Sequence, residues 1–178
     1  ALLAPGGTWT WVGFHSTVPV DLIEIHNPRA AAGVSILVDA LTSAEPGSGT
    51  TIGTEFGDAT LNSTGFASTL CAEGSASIAA GDLTLRATEV PDLAYGLFLY
   101  SPTQGNQPLG DGTLWLGAAQ LQRLTTVQAR SGVLELPLDF STLPVTAGTT
   151  WHFQAFFRDP AAGGAGVNLS QGLSITFE

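Results

Sequence analysis

The chain carries the periodicity of strands, not helices. Apolar residues recur at alternate positions in short runs, and Gly, Pro, Asn and Asp interrupt the runs. Residues 8–14 alternate, with Trp9 and Trp11 on one face and Thr8, Thr10 and Val12 on the other. Residues 18–25 and 33–41 form two further candidate strands, and Pro19 marks the first as an edge or a bulge. Glu45-Pro46-Gly47-Ser48-Gly49-Thr50 has the composition of a linker. Beyond it the pattern predicts strands over residues 66–72, 75–79, 83–90, 95–100, 114–116, 120–125, 133–138, 150–158 and 173–177. Turn signals separate them at Ser101-Pro102, Gly105-Asn106, Gly110-Asp111-Gly112 and Asp159-Pro160. Residues 150–158 make the clearest core strand, with Trp151, Phe153, Ala155 and Phe157 on one face and His152, Gln154, Phe156 and Arg158 on the other. Strands spaced by roughly 8–12 residues specify an all-β chain. The expected architecture is an antiparallel β-sandwich, jelly-roll or Ig-like, with an N-terminal β-strand arm. Residues 1–50 hold the arm and extra strands, and residues 51–178 hold the sandwich.

Composition narrows the function classes. Fifteen acids face five arginines, lysine is absent, and the net charge is −10. Such a chain presents no basic footprint for nucleic acid or anionic lipid. Lysine chemistry, including Schiff bases and isopeptide crosslinks, is unavailable to it. Only 11% of residues are charged, against about a quarter in ordinary domains. Yet 44% are apolar, enough to build a core. No run approaches the 18 or so apolar residues of a membrane span. The single cysteine, Cys71, forms no intrachain disulfide and reads as a small buried hydrophobe, with no cation beside it in sequence. A start at Ala1, together with the lack of methionine, fits a mature secreted or cell-surface chain after signal-peptide removal.

From about Thr54 onward several motifs occur in a set order. They are Leu61-Asn62-Ser63-Thr64-Gly65, Ala80-Gly81-Asp82-Leu83-Thr84-Leu85, Tyr95-Gly96-Leu97-Phe98-Leu99-Tyr100 and Pro108-Leu109-Gly110-Asp111-Gly112. The ending is the most distinctive: Thr150-Trp151-His152-Phe153-Gln154-Ala155-Phe156-Phe157-Arg158-Asp159-Pro160, then Gly166-Val167-Asn168-Leu169-Ser170-Gln171-Gly172-Leu173. This region resembles a C-terminal β-sandwich module that recurs in large secreted proteins of planctomycetes and related bacteria. The resemblance implies a secreted bacterial sandwich and supplies no catalytic residue. The chain departs from that pattern in lacking a cysteine near its C-terminus and in having only about 50 residues before the module.

Candidate chemistry is sparse. His15, His26 and His152 stand in no metal-binding spacing, and a zinc site from Glu24, His26 and a distant histidine is a remote reading. No GxSxG elbow is present, and Asp58, Asp82, Asp92, Asp111, Asp139 and Asp159 are scattered through turns. The sequence therefore points to no enzyme and no cofactor. A structural calcium beside Asp58 or Asp111 is the one metal reading that turn aspartates next to glycine support. Arg158-Asp159-Pro160 reads as a lock between a strand end and a loop, made by the arginine. Asn62-Ser63-Thr64 and Asn168-Leu169-Ser170 are N-glycosylation sequons. Trp9, Trp11, Tyr100, Trp115 and Phe156 are the rings on which a sugar could stack.

The N-terminal segment is the most informative one. Residues 1–14 are apolar, aromatic and alternating, with Gly6-Gly7 as a hinge. An isolated strand is not stable in water, so this one must complete a sheet. Added to its own body, it makes a monomeric sandwich of about twelve strands; added to another copy, it makes a heterologous contact that propagates into an open polymer. The expected function is thus a secreted structural subunit that self-assembles into a fimbria-like filament or surface layer by donor-strand complementation. Its partners are copies of itself, with Leu2, Leu3, Trp9, Trp11, Val12 and Phe14 at the subunit interface. The alternative is an extracellular glycan-binding or accessory module.

Overall fold

A computed structural model describes Leu2–Leu3, Trp9–Thr10 and residues 52–178. The chain divides into two compact units, Ala1–Gly47 and Ser48–Glu178. In the first, β1 (Leu2–Leu3) pairs antiparallel with β2 (Trp9–Thr10), with Leu3 opposite Trp9. Trp11, Val12 and Phe14, and the strands expected over residues 18–25 and 33–41, lie outside the described residues.

The second unit is all-β and antiparallel. In chain order its strands are β3 (Thr54–Phe56), β4 (Thr69–Glu73), β5 (Thr84–Thr88), β6 (Tyr95–Ser101), β7 (Gln104–Leu109) and β8 (Gly112–Leu116). Then come β9 (Gln122–Arg123), β10 (Val127–Gln128), β11 (Leu134–Pro137), β12 (Thr150–Arg158) and β13 (Val167–Thr176). A central sheet runs β10-β6-β12-β13-β3, and β9 continues the β10 edge along β6. A three-stranded sheet, β11-β5-β4, packs on one face of it. The β7–β8 hairpin covers part of the other.

This layering explains why β6 is apolar on both faces, with Leu97 and Leu99 opposite Phe98 and Tyr100. Phe98 and Tyr100 of β6 and Phe153, Ala155 and Phe157 of β12 enter the main core with Leu70, Leu85, Leu134, Leu173 and Ile175. Rings in contact run from Trp151 through Tyr100 and Phe153 to Phe177 and Phe140. Leu99, Leu114, Leu116 and Leu169 form a smaller core on the opposite side, flanked by Phe56, Leu97 and Phe156. Burying a side chain of this size contributes roughly 1.5–3 kcal/mol, so the larger cluster dominates stability.

Two glycines are required by rings. Gly57 adopts φ +67° beneath the Trp115 indole, where a Cβ would come within 2.3 Å of the ring. Gly172 pairs with Phe56, whose ring lies 2.4 Å from where a Cβ would stand.

Several expectations need correction. Residues 75–79 form turns, because Ser75 N–H donates to Asp82 Oδ1 and Ser77 N–H to Ser75 Oγ. The last strand begins at Val167, six residues before the expected 173. Gly105-Asn106 lies within β7, whose register against β8 is irregular there. Residues 120–125 shorten to β9, because Ala118–Gln120 form a 3-10 turn.

Candidate functional site

The buried polar side chains of the sandwich converge on backbone groups. Gln154, fully buried, accepts from Trp115 N–H at 2.9 Å and donates from Nε2 to Thr113 O (2.8 Å) and Ser170 O (2.7 Å). Its amide thus stands in for a missing strand along β8. Gln171 does the same for β4: its Oε1 accepts from Leu70 N–H at 2.9 Å and its Nε2 donates to Leu70 O at 2.9 Å. An irregularity in β12–β13 pairing between Gln154 and Phe156 lets neighbouring β13 residues serve both layers. There Ser170 Oγ accepts from Ala155 N–H and donates to Gln171 O.

The turn acids are used in a similar way. Asp111 accepts from Ala165 N–H (2.8 Å) and Gly166 N–H (3.1 Å), and its own N–H donates to Val167 O. Asp139 accepts from the Ser141 hydroxyl and amide, and those bonds hold its carboxyl below the usual range. The lock at the end of β12 comes from Asp159, not Arg158. Asp159 is buried and its Oδ2 accepts from Ser63 N–H at 2.9 Å, whereas Arg158 points to solvent. Among the described residues, no three His, Cys, Asp or Glu side chains gather as a metal would require. His15, His26 and Glu24 lie outside the described residues. For the calcium reading, the Asp58 carbonyl accepts from Trp115 Nε1 at 2.7 Å, and the Asp111 carboxylate is held as above.

Neither sequon presents an open asparagine. Asn62 is 6% exposed and donates to Glu89 O, and Asn168 is fully buried and donates to Leu61 O. Of the stacking rings, Tyr100 is buried and Trp115 and Phe156 are half-buried against their neighbours, while the side chains of Trp9 and Trp11 lie outside the described residues. Leu2, Leu3 and Trp9 fall on β1 and β2.

Two features escape sequence reasoning because they form across strands. The first is on the outer face of the three-stranded sheet. Cys71 is half-buried there, not inside the core, directly opposite Arg86. Burial, helped by Glu73, pushes its thiol above the ordinary value, against the pull of Arg86. Arg86 in turn spans Glu73 (Nη1–Oε1 2.6 Å) and Glu135 (Nε–Oε2 3.3 Å), and the bond to Glu73 raises its already high pKa. On the central sheet, burial lowers the pKa of His152, whose Nδ1 lies 2.8 Å from Ser174 Oγ.

The second is an open concavity of about 570 Å³ where β10 of the central sheet approaches β11 of the three-stranded sheet. Arg86 and Glu135 line one side, and Gln128, Arg130 and Ser131 the other.

The free edges of the two sheets differ. At Leu70 the β4 edge is occupied by Gln171. The β11 edge ends in Pro137, which has no amide to offer. At the far side of the central sheet, β3 pairs with β13 alone among the described strands.

No family model, curated protein or solved structure matches the chain.

Proposed function

We propose that the protein is a secreted structural subunit that joins to further copies by strand addition, the N-terminal segment being the donor. The observation that carries this reading is the position of β3. Among the described strands it is the edge of the central sheet, paired with β13 alone, and the chain enters the sandwich through it. The segment before it belongs to a separate compact unit, Ala1–Gly47. An edge with unpaired main-chain groups is a template for a strand from another chain. The polar side chains of the sandwich are largely engaged in holding their own backbone, as a scaffold requires. The likeness of residues 54–178 to modules of secreted bacterial proteins agrees with an extracellular location.

Sedimentation and negative-stain electron microscopy of the intact chain test the reading. The expected result is concentration-dependent filaments, abolished by Trp9→Asp combined with Trp11→Asp while the β-sheet circular dichroism persists. A monomer at high concentration, or a double variant that polymerises like its parent, overturns it.

A further inference from the structure

The concavity between β10 and β11 has the chemistry of a ligand site. Its volume, about 570 Å³, is within the usual range of small-molecule sites, roughly 300–1,000 Å³. Arg130 stands at its rim on a tight two-residue hairpin. Arg130 N–H donates to Val133 O at 2.9 Å and Val133 N–H to Arg130 O at 3.1 Å, while Ser131 and Gly132 both take positive φ, 51° and 76°. A further bond from Val90 N–H to Gly132 O ties this turn to the neighbouring loop. The base of the Arg130 side chain is therefore fixed.

The charges around it are asymmetric. Arg86 is paired with Glu73 and Glu135, but Arg130 meets no carboxylate among the described residues. Beside it are acceptors with capacity to spare. Among the described residues, Gln128 donates from Nε2 to Leu93 O and its Oε1 takes no bond, Ser131 Oγ is unengaged, and Glu135 uses one oxygen on Arg86. Val127 and Val133 supply apolar wall. A planar cation surrounded by hydrogen-bond acceptors matches a ligand that carries one carboxylate and several hydroxyls.

We propose that this concavity binds a hexuronic acid unit of an acidic saccharide. Its carboxylate pairs with the Arg130 guanidinium, and its hydroxyls donate to Glu135, Gln128 Oε1 and Ser131. The net charge of −10 repels long polyanions, so the site takes one or two acidic units at a time. This proposal is independent of self-assembly and uses none of the N-terminal residues.

The test is a titration of the intact chain with digalacturonate at physiological salt, followed by NMR and calorimetry. Saturable binding is expected, with shifts at Val127, Arg130 and Val133. Arg130→Gln should weaken it about tenfold or more, the effect of one lost charge-assisted hydrogen bond. Arg130→Lys should fall between, since an ammonium keeps the charge and loses the fork. Glu135→Gln should weaken binding less than Arg130→Gln. Absence of saturable binding overturns the proposal, as does binding that survives Arg130→Gln unchanged. Equal binding of acetate also overturns it, because the site then reads only an anion, and equal binding of lactose overturns the role of the carboxylate. Arg130 is exposed, and an unchanged melting temperature verifies that the variants are folded.

Discussion

The two faces of the central sheet are built on different principles. One face buries a broad aromatic and aliphatic cluster beneath the three-stranded sheet, and apolar area is the main force that holds it. The other buries four leucines beneath the β7–β8 hairpin, too small a cluster to fix a hairpin by area. There Gln154 supplies the missing specificity, binding the β8 backbone at Trp115 and Thr113. The main core has a similar staple in Gln171, placed at its margin on the β4 edge. The contrast teaches that a large core tolerates polar groups at its rim, whereas a thin layer places one at its centre.

The largest expected effect contrasts the two cores directly. Phe153→Ala should cost about 3–5 kcal/mol, and Leu116→Ala about 2–5 kcal/mol. In urea denaturation followed by hydrogen exchange, Phe153→Ala should accelerate exchange throughout the sandwich. Leu116→Ala should accelerate it chiefly in β7 and β8, by local opening. Identical exchange profiles for the two variants would erase the distinction between the layers.

A smaller effect separates the staples. Gln154→Met keeps the volume but leaves Trp115 N–H and the Thr113 carbonyl without partners, for about 1–3 kcal/mol. Gln171→Met strands Leu70 in the same way, at similar cost. The two should differ in place: exchange at Trp115 in the first, at Leu70 in the second. If either variant is as stable as its parent, the amide in question is not a staple.

The smallest effects are in pH. Burial lowers the His152 pKa, so the unfolded chain takes up a proton first as the solution is acidified. Stability should fall as pH drops from the ordinary imidazole value of 6.5 to the lower folded value, and His152→Phe should flatten that limb. Cys71 acts at the other end. Its folded pKa is raised above the ordinary 9.0, so its contribution is complete below 9.0 and is lost as pH rises through the folded value. Alkylation of Cys71 by iodoacetamide should accordingly be slow at neutral pH and accelerate only above the range of a free thiol. Fast labelling at neutral pH would show that Arg86 outweighs burial.

Legibility varied with how much of a strand's fate lay in its own side chains. Thr150–Arg158 was legible to the residue, because aromatic alternation and the Asp159-Pro160 turn bracket it. The final strand was read at only half its length. Asn168, Ser170 and Gln171 are buried polar residues, and hydropathy reads them as solvent-facing. The same blindness made Asn62 and Asn168 look like glycan acceptors when their amides face the interior. Arg130, Gln128 and Glu135 carried no shared signal, since they converge only where edges of two sheets meet.

By itself the sequence determined the class of structure. A period of two with frequent turn residues excludes helices, and an apolar fraction near 44% ensures that the strands find a core. It also determined the charge balance, a net charge of −10 with no lysine. Only the tertiary structure decided which strands are neighbours, which face of β6 and β12 each layer covers, and what each buried glutamine binds. Those are properties of pairs far apart in the chain. Gln171 and Leu70 are 101 residues distant, and no local pattern encodes a bond whose two ends meet only after both sheets have formed.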